Sequence, residues 1–512
     1  MDSFDFKGFW WLPNNPSDKL AGICSFTPSE GGELELIGDF SSLAECNDSD
    51  QPLLILGTTL KGEITLYNCF LKKKEKRQGS IEVSLYYVKL IFSGIHFYNY
   101  SDVKFNRISI HYSYVNEWVN IKTFDSVNLE NGEEHLIYKV YEQVAQASLD
   151  NNYRLSIDIG CGQSGQSVNL FEKITVDRKV FLTIEPSEEK PYEEYIQVMR
   201  YIRNFLTLGI TKPVFPLVMN GFISKDGQTS VVWILEKLAI PKNDITEGKL
   251  SWHEMFFTFR DISDKFELFV KNWFDKAKDL GTVYELYFGI LENHESYYPQ
   301  QEFLSLVQAL ESYCQKNINS DIRKIERPEN EHLEMVETII NQVQEENYKR
   351  WLKRKLKNSN NTSLSEKLIS LLMSESLQEI IKHLKKSENA FNVFLDGESR
   401  QDFIEKIVKI RNNLSHGSGY NEDVYGRDFY LQIQRLKVLI EILLLKELGF
   451  DKETLGTLVL RSRVGLRIAE LRPITPSSKQ LRPFGLCAGE FTVPDDFDAP
   501  LPEEILNAFE GK

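Results

Sequence analysis

The stretch FIEKIVKIRNNLSHG, Phe403–Gly417, carries apolar side chains at Phe403, Ile404, Ile407, Val408 and Leu414 and stops at a glycine. That spacing predicts an amphipathic helix with one buried face, ended by Gly417. The same period recurs on both sides of it. Phe303, Leu304, Val307, Leu310 and Tyr313 form one stripe, and Leu333, Val336, Ile339, Ile340 and Val343 another. Leu364, Leu368, Leu371 and Leu372 form a third, and Leu436, Leu439, Ile440, Leu443 and Leu444 a fourth that stops at Gly449. From about residue 255 onward the chain therefore reads as a helical bundle.

Ahead of that point the period is two. Glu33–Ile37, Leu53–Leu56, Glu63–Tyr67, Ile81–Ile91 and Arg107–Tyr112 are short β-prone runs separated by turn residues. A twisted sandwich or an open barrel fits them. The basic run Lys72–Arg77, followed by Gln78-Gly79, reads as a hairpin loop. A helix is expected from Tyr192, after Pro191, and strands return at Val214–Ile223 and Ser230–Glu236. The expected fold class is α+β multidomain: a β-rich, sandwich-like domain over 1–270, a helical domain over 271–472 and an extended acidic tail over 473–512.

The chain has 512 residues, 42% hydrophobic and 26% charged, an ordinary globular composition. No apolar run is long enough to span a bilayer, and the N-terminus lacks the basic and apolar regions of a signal peptide. The cysteines are scattered without a CxxC pair, and His96, His111, His135, His253, His294, His332 and His383 form no HxH or HxxxH pair. No disulfide framework, metal site or cofactor is expected, and a reducing cytoplasm is the expected compartment. The formal net charge of −15 excludes a surface that binds nucleic acid everywhere; any such contact must be a local basic patch.

Arg411 and His416 lie about one and a half turns apart at the end of the predicted helix. RNA cleavage by its own 2′-hydroxyl needs a base for that hydroxyl, an acid for the leaving 5′-oxygen and a fixed cation for the phosphorane. Histidine titrates near neutral pH and serves either proton role, while arginine stays charged and holds two phosphate oxygens. A plain helix end, with His416 at the negative pole, is the competing reading.

The segment Arg411-Asn412-Asn413-Leu414-Ser415-His416 resembles the Arg-Asn-x-x-x-His signature of HEPN ribonucleases. The resemblance implies a helical bundle, a metal-independent endoribonuclease leaving a 2′,3′-cyclic phosphate, and a homodimer whose two motifs face one composite site. It makes Arg411 and His416 catalytic and Asn412 a supporting residue. Gly8–Trp11, Gly32–Gly38, the stretch around Trp118 and the helix Phe303–Glu311 are similar to the ApeA family of anti-phage HEPN proteins, over residues 1 to about 450. That implies a β-rich sensing or regulatory domain ahead of the HEPN domain, and a role in abortive infection or toxin-type growth arrest. The expected partners are RNA, with transfer RNA among the candidates, a second copy of the chain, and a phage-derived trigger at the N-terminal domain. Glu311 is a candidate for the same site, though a solvated helix position is the preferred reading of it.

Lys349, Arg350, Lys353 and Arg354, packed around Tyr348 and Trp351, form a candidate RNA-binding face; a solvated helix face is the alternative. Leu155–Gly165, an apolar strand running into Asp-x-Gly-x-Gly with Glu185 further on, looks like the first motif of S-adenosylmethionine methyltransferases, or else a glycine-rich turn. The tail Arg482–Leu506 resembles the C-terminal segment of small bacterial antitoxins, which wraps a toxin, and suggests autoinhibition or capture of a separate toxin. Two other function classes stay open: a catalytically inert HEPN binding module and the methyltransferase.

Overall fold

Trp10 has no solvent exposure, and six strands close around it. In the computed structural model, which describes residues 3–40, 51–77, 81–128, 134–139, 141, 143–149, 152–162, 177–238, 250–292, 298–316, 328–357, 359–360, 362–385, 394, 396–416 and 426–461, these are β1 (Phe4–Trp11), β2 (Leu20–Thr27), β3 (Gly31–Ile37), β4 (Leu53–Thr59), β5 (Gly62–Arg77) and β6 (Ile81–Ser93). The order β6-β3-β2-β1-β4-β5, with β5 paired again to β6, makes a closed antiparallel barrel. Phe6, Phe26, Leu34, Leu66 and Tyr86 fill it around Trp10. Gly57 has to be glycine: an added Cβ would lie 2.3 Å from the Trp10 ring. The strand spacing allows a twisted sandwich or an open barrel; what forms is a closed barrel continuous with an open sheet. The basic run Lys72–Arg77 is the end of β5 rather than a loop. Lys72 and Lys74 pair with Glu33 and Asp39, which makes an exposed strand edge tolerable for cations.

Strand β6 is long enough to serve two sheets. One edge takes β5; the other takes β3 opposite Val83–Val88 and then β16 opposite Leu90–Ser93. From there an open antiparallel sheet continues. Its elements in chain order are β7 (Lys104–Phe105), β8 (Arg107–Tyr112), α1 (Val115–Val119), β9 (Phe124–Asn128), β10 (Glu134–Tyr138), β11 (Gln143–Leu149), β12 (Tyr153–Gly162), β13 (Asp177–Pro186), β14 (Lys190–Pro191), α2 (Tyr192–Ile210), β15 (Pro216–Lys225) and β16 (Gln228–Glu236). The sheet order is β16-β15-β8-β13-β12-β11, with β7–β14 and β9–β10 as separate pairs. Helix α2 begins at Tyr192, where Pro191 predicts it, and shares one core with Ile108, Leu182 and Ile184 on the sheet. Strand β12 runs antiparallel to both neighbours, and Arg154 on it faces Glu185 on β13. The parallel strand–turn–helix that a methyltransferase motif requires is not what Leu155–Gly162 builds; 163–165 lie outside the described residues.

The helical half comprises α3 (Phe259–Ile262), α4 (Phe266–Glu292), α5 (Pro299–Lys316), α6 (Glu329–Asn341), α7 (Glu346–Leu356), α8 (Leu364–Leu372), α9 (Glu375–Lys385), α10 (Gly397–His416), α11 (Arg427–Leu448) and α12 (Lys452–Arg461). Helix α4 packs on α2 and β11 at one side and on α5 and α11 at the other, so the sheet and the bundle share a single apolar core. Gly449 ends α11 at φ 100°, the left-handed cap that glycine adopts without steric penalty. The Leu333–Val343 stripe is helical through Asn341 but does not form core: Leu333 and Ile339 are exposed, and His332 and Val336 are the buried pair. The tail, with Arg482–Leu506, lies outside the described residues.

Arg461, the last residue of α12, reaches back across the fold. Its guanidinium donates to both Asp261 oxygens, at 3.0 and 2.7 Å, and to the Phe256 carbonyl at 2.8 Å. Burial pushes the Asp261 carboxyl up, but Arg461 and Thr258 outweigh it and hold it below the usual aspartate range. A carboxyl lowered in the folded state adds stability that is complete above its unfolded value, about 3.9, and is lost as pH falls through the folded one. Asp261→Asn is expected to cost about 2 kcal/mol in urea unfolding at pH 7, the scale of hydrogen bonds to a charged group. The difference from the parent should begin to shrink as pH falls below about 4 and vanish only below the folded-state value.

Candidate active site

Helix α10 starts at an acidic cap: the Ser399 amide and hydroxyl donate to Asp396 at 3.0 and 2.8 Å. Phe403, Ile404, Ile407 and Ile410 are buried against the bundle, where α10 meets α5 and α8. That face sets the rotation of the helix and leaves Arg411 half-buried and Asn412 exposed. The Arg411 Nη1 donates to the Asn412 Oδ1 at 3.2 Å, and its Nη2 lies 3.6 Å from a Glu311 carboxylate oxygen. The guanidinium is thus held at the surface by an amide and an acid, its side chain 34% exposed. His416 is the last residue of α10, and its side chain lies outside the described residues.

Glu311 is where the bland reading of the sequence fails. On α5 it is not a free, solvated position but the ion-pair partner of Arg411, with 22% of its side chain exposed. No local signal marks it: the apolar stripe of α5 runs past Glu311 from Leu310 to Tyr313, and its partner lies on another helix. One turn on, burial pushes the Cys314 thiol up to about 12, so that group is an inert packing residue.

The basic candidates stand elsewhere. Lys349, Arg350, Lys353 and Arg354 all lie on α7, which has no buried residue and packs on α6. Lys349 pairs with Glu346 at 3.0 Å, and Arg350 donates to Asn347 at 3.1 Å. Tyr348 and Trp351 are exposed beside them. Among the described residues no hydrogen bond or ion pair joins α7 to Arg411 or Glu311. There is also no cluster of three or more His, Cys, Asp or Glu able to hold a metal among them, and no helix is long and apolar enough to cross a membrane.

The motif sits on a helix of an all-helical unit that follows a barrel-and-sheet unit. Residues 5–273 match the family model described as ApeA N-terminal domain 1, and residues 304–454 match the one described as Apea-like HEPN. The chain belongs to the ApeA-like HEPN family of anti-phage proteins. No curated protein and no solved structure matches it. The HEPN match spans α5 through the start of α12, so Glu311, the α7 cations and the Arg411–His416 segment all fall within the HEPN domain.

What fixes α5 against the rest of that domain is a polar layer that the periodicity alone does not reveal. Lys437, in the middle of the apolar α11, forms a 2.5 Å ion pair with Glu302 of α5, both about one-tenth exposed. Tyr287 of α4 donates to Glu441 at 2.5 Å one turn further along. Lys437→Met is expected to lower stability by about 3 kcal/mol in urea unfolding, because it strands the Glu302 carboxylate in the interior. The double variant Glu302→Leu with Lys437→Met should recover most of that loss.

Proposed function

We propose that this ApeA-like protein is a metal-independent endoribonuclease that acts in the cytoplasm in anti-phage defence. Its site, in this reading, is built from Arg411, Asn412 and His416, completed by a second copy of the chain. The observation that carries the reading is Arg411 itself: a guanidinium kept out of the core on α10, oriented by Glu311 and Asn412, at the one segment that pairs it with a histidine. In this mechanism His416 takes the proton from the ribose 2′-hydroxyl or gives one to the 5′-oxygen, and Arg411 meets the charge that builds on the phosphorane. Glu311 acts as a positioning residue, holding the fork until phosphate oxygens take its place.

The dimer is what the likeness to HEPN ribonucleases implies: a second copy of the chain facing the first brings two Arg411–His416 segments to one composite site. Helix α7 is the proposed RNA-binding face: Lys349, Arg350, Lys353 and Arg354 hold phosphates while Tyr348 and Trp351 offer rings to unpaired bases. In this division of labour the sensing part spans 1–270 and the ribonuclease part 271–472. The inert-module alternative keeps the bundle but gives Arg411 and His416 no chemistry.

Incubation with total RNA, followed by mapping of the cut ends, separates the two. The expected products end in a 2′,3′-cyclic phosphate and a 5′-hydroxyl, and cleavage should persist in chelator. Arg411→Ala and His416→Ala should each slow it by about 100-fold or more. Glu311→Gln should cost about 10-fold, the worth of one charge-assisted contact. Cleavage and toxicity unchanged in His416→Ala would establish the inert module instead.

A further inference from the structure

The open sheet has two faces, and α2 covers only one. On the other, strand alternation sets out a polar and aromatic surface where an apolar or plainly charged one would be ordinary. Ser156, Thr183, Ser109, Asn220 and Trp233 stand side by side across β12, β13, β8, β15 and β16. One step along the strands, Arg154 faces Glu185 and Arg107 faces Phe222; one step the other way, Asp158 faces Phe181. A groove of about 490 Å³ lies over this face, lined in part by Arg107, Phe181, Asn220 and Phe222. A second groove, of about 370 Å³, adjoins it, shares Asn220 and reaches Lys179 and Trp233.

Three features set this face apart from ordinary sheet surface. First, the Asn220 Oδ1 is shut off from solvent yet has no hydrogen-bond partner among the described residues. Its neighbours are satisfied: Ser109 bonds Thr183 at 2.8 Å and Ser156 bonds Asp158 at 2.9 Å. A buried amide left without a partner is costly unless something binds it. Second, the Arg107 guanidinium sits over the Phe222 ring, 4.3 Å from its centre, with no carboxylate within ion-pair distance among the described residues. Arg154, by contrast, is taken by Glu185. Third, three aromatic rings from three strands border the two grooves: Phe181 and Phe222 half-buried and Trp233 55% exposed.

The geometry points to a nucleotide-binding site on this face, with the base at Asn220 and the aromatic rings and the phosphate at Arg107. Every base has a flat face to stack on a ring and an edge that pairs a donor with an acceptor, which an asparagine amide answers in kind. A guanidinium backed by a ring is a preformed fork for phosphate. A peptide laid on a sheet pairs with an edge strand, and Asn220 is on the fifth of six strands counted from β11, paired on both sides by β8 and β16. The nucleotide is either free or part of a single strand, since both present the same base and phosphate. The site lies in the N-terminal domain and does not depend on cleavage at Arg411.

Calorimetry and Trp233 fluorescence on the full chain test this with two probes: AMP, and a 2′-O-methyl tetra-adenylate that cannot undergo 2′-hydroxyl attack. Saturable binding is expected, weakened about tenfold or more in Phe181→Ala and in Arg107→Ala, and retained in Phe181→Tyr. Equal affinity for both probes identifies a free nucleotide; a tetra-adenylate about tenfold tighter identifies a strand. No saturable binding of either probe at millimolar concentration would overturn the assignment. So would AMP binding, read by Trp233, that survives Phe181→Ala and Arg107→Ala.

Discussion

A helix that is buried on nearly every side governs the architecture. Helix α11 threads the core with Leu436, Leu439, Ile440 and Leu443 covered, and its polar residues Lys437 and Glu441 have nowhere to reach water. Each must therefore find a partner on a neighbouring helix, and each does: Glu302 on α5 and Tyr287 on α4. Apolar packing alone would allow helices to slide or rotate by a fraction of a turn at little cost. A buried ion pair does not, because displacement strands two charges in a medium that solvates neither. The register of α5 is set in this way at Glu302, and nine residues further along the same rigid helix, about 13 Å away, it delivers Glu311 to Arg411.

The N-terminal half is tied to this bundle through packing rather than through a linker. The barrel and the open sheet share β6, the open sheet shares a core with α2, and α4 continues that core into the bundle. Arg461 closes the circuit from the end of α12 to Asp261 and Phe256. Close-packed interiors transmit strain instead of absorbing it. A ligand that altered the open sheet would press on α4 through β11 and on α1 through β13, and α4 touches both α5 and α11.

Local signals in the sequence carry much of this. The stripes of α5, α8, α10 and α11 are core because their period is helical and their apolar residues are contiguous, and Gly449 ends α11 where a left-handed residue is needed. Non-local facts were not legible. Barrel closure depends on β1 meeting β4 and β5 meeting β6, pairings that no short window encodes. Lys72–Arg77 misleads because lysines suit an exposed strand edge as well as a loop, and only Glu33 and Asp39 across the sheet decide it. Leu333 and Ile339 have helical spacing but no surface to pack on. Glu311 looked like any solvated glutamate until α5 and α10 were brought together. The Arg411 end of the motif was visible by residue type and spacing; the position of its partner on another helix was not.

The electrostatics give the arrangement its direction. A body of net charge −15 repels a polyanion from most of its surface, whereas α7 concentrates five cations into Lys349–Arg354 and Lys355 on a helix that buries nothing. In the proposed reading, that field favours approach of RNA to the HEPN domain from the α7 side. Because that attraction is local and solvent-exposed it is also weak and salt-sensitive, which suits the proposed ribonuclease, since product must leave. Arg411 is different in kind: its charge is already answered by Glu311, so it adds little to long-range attraction and becomes available only when a phosphate close by competes for the fork. In the proposed reading, capture and chemistry thereby fall to different cations. The chain's acidity and its proposed action on RNA then cease to conflict.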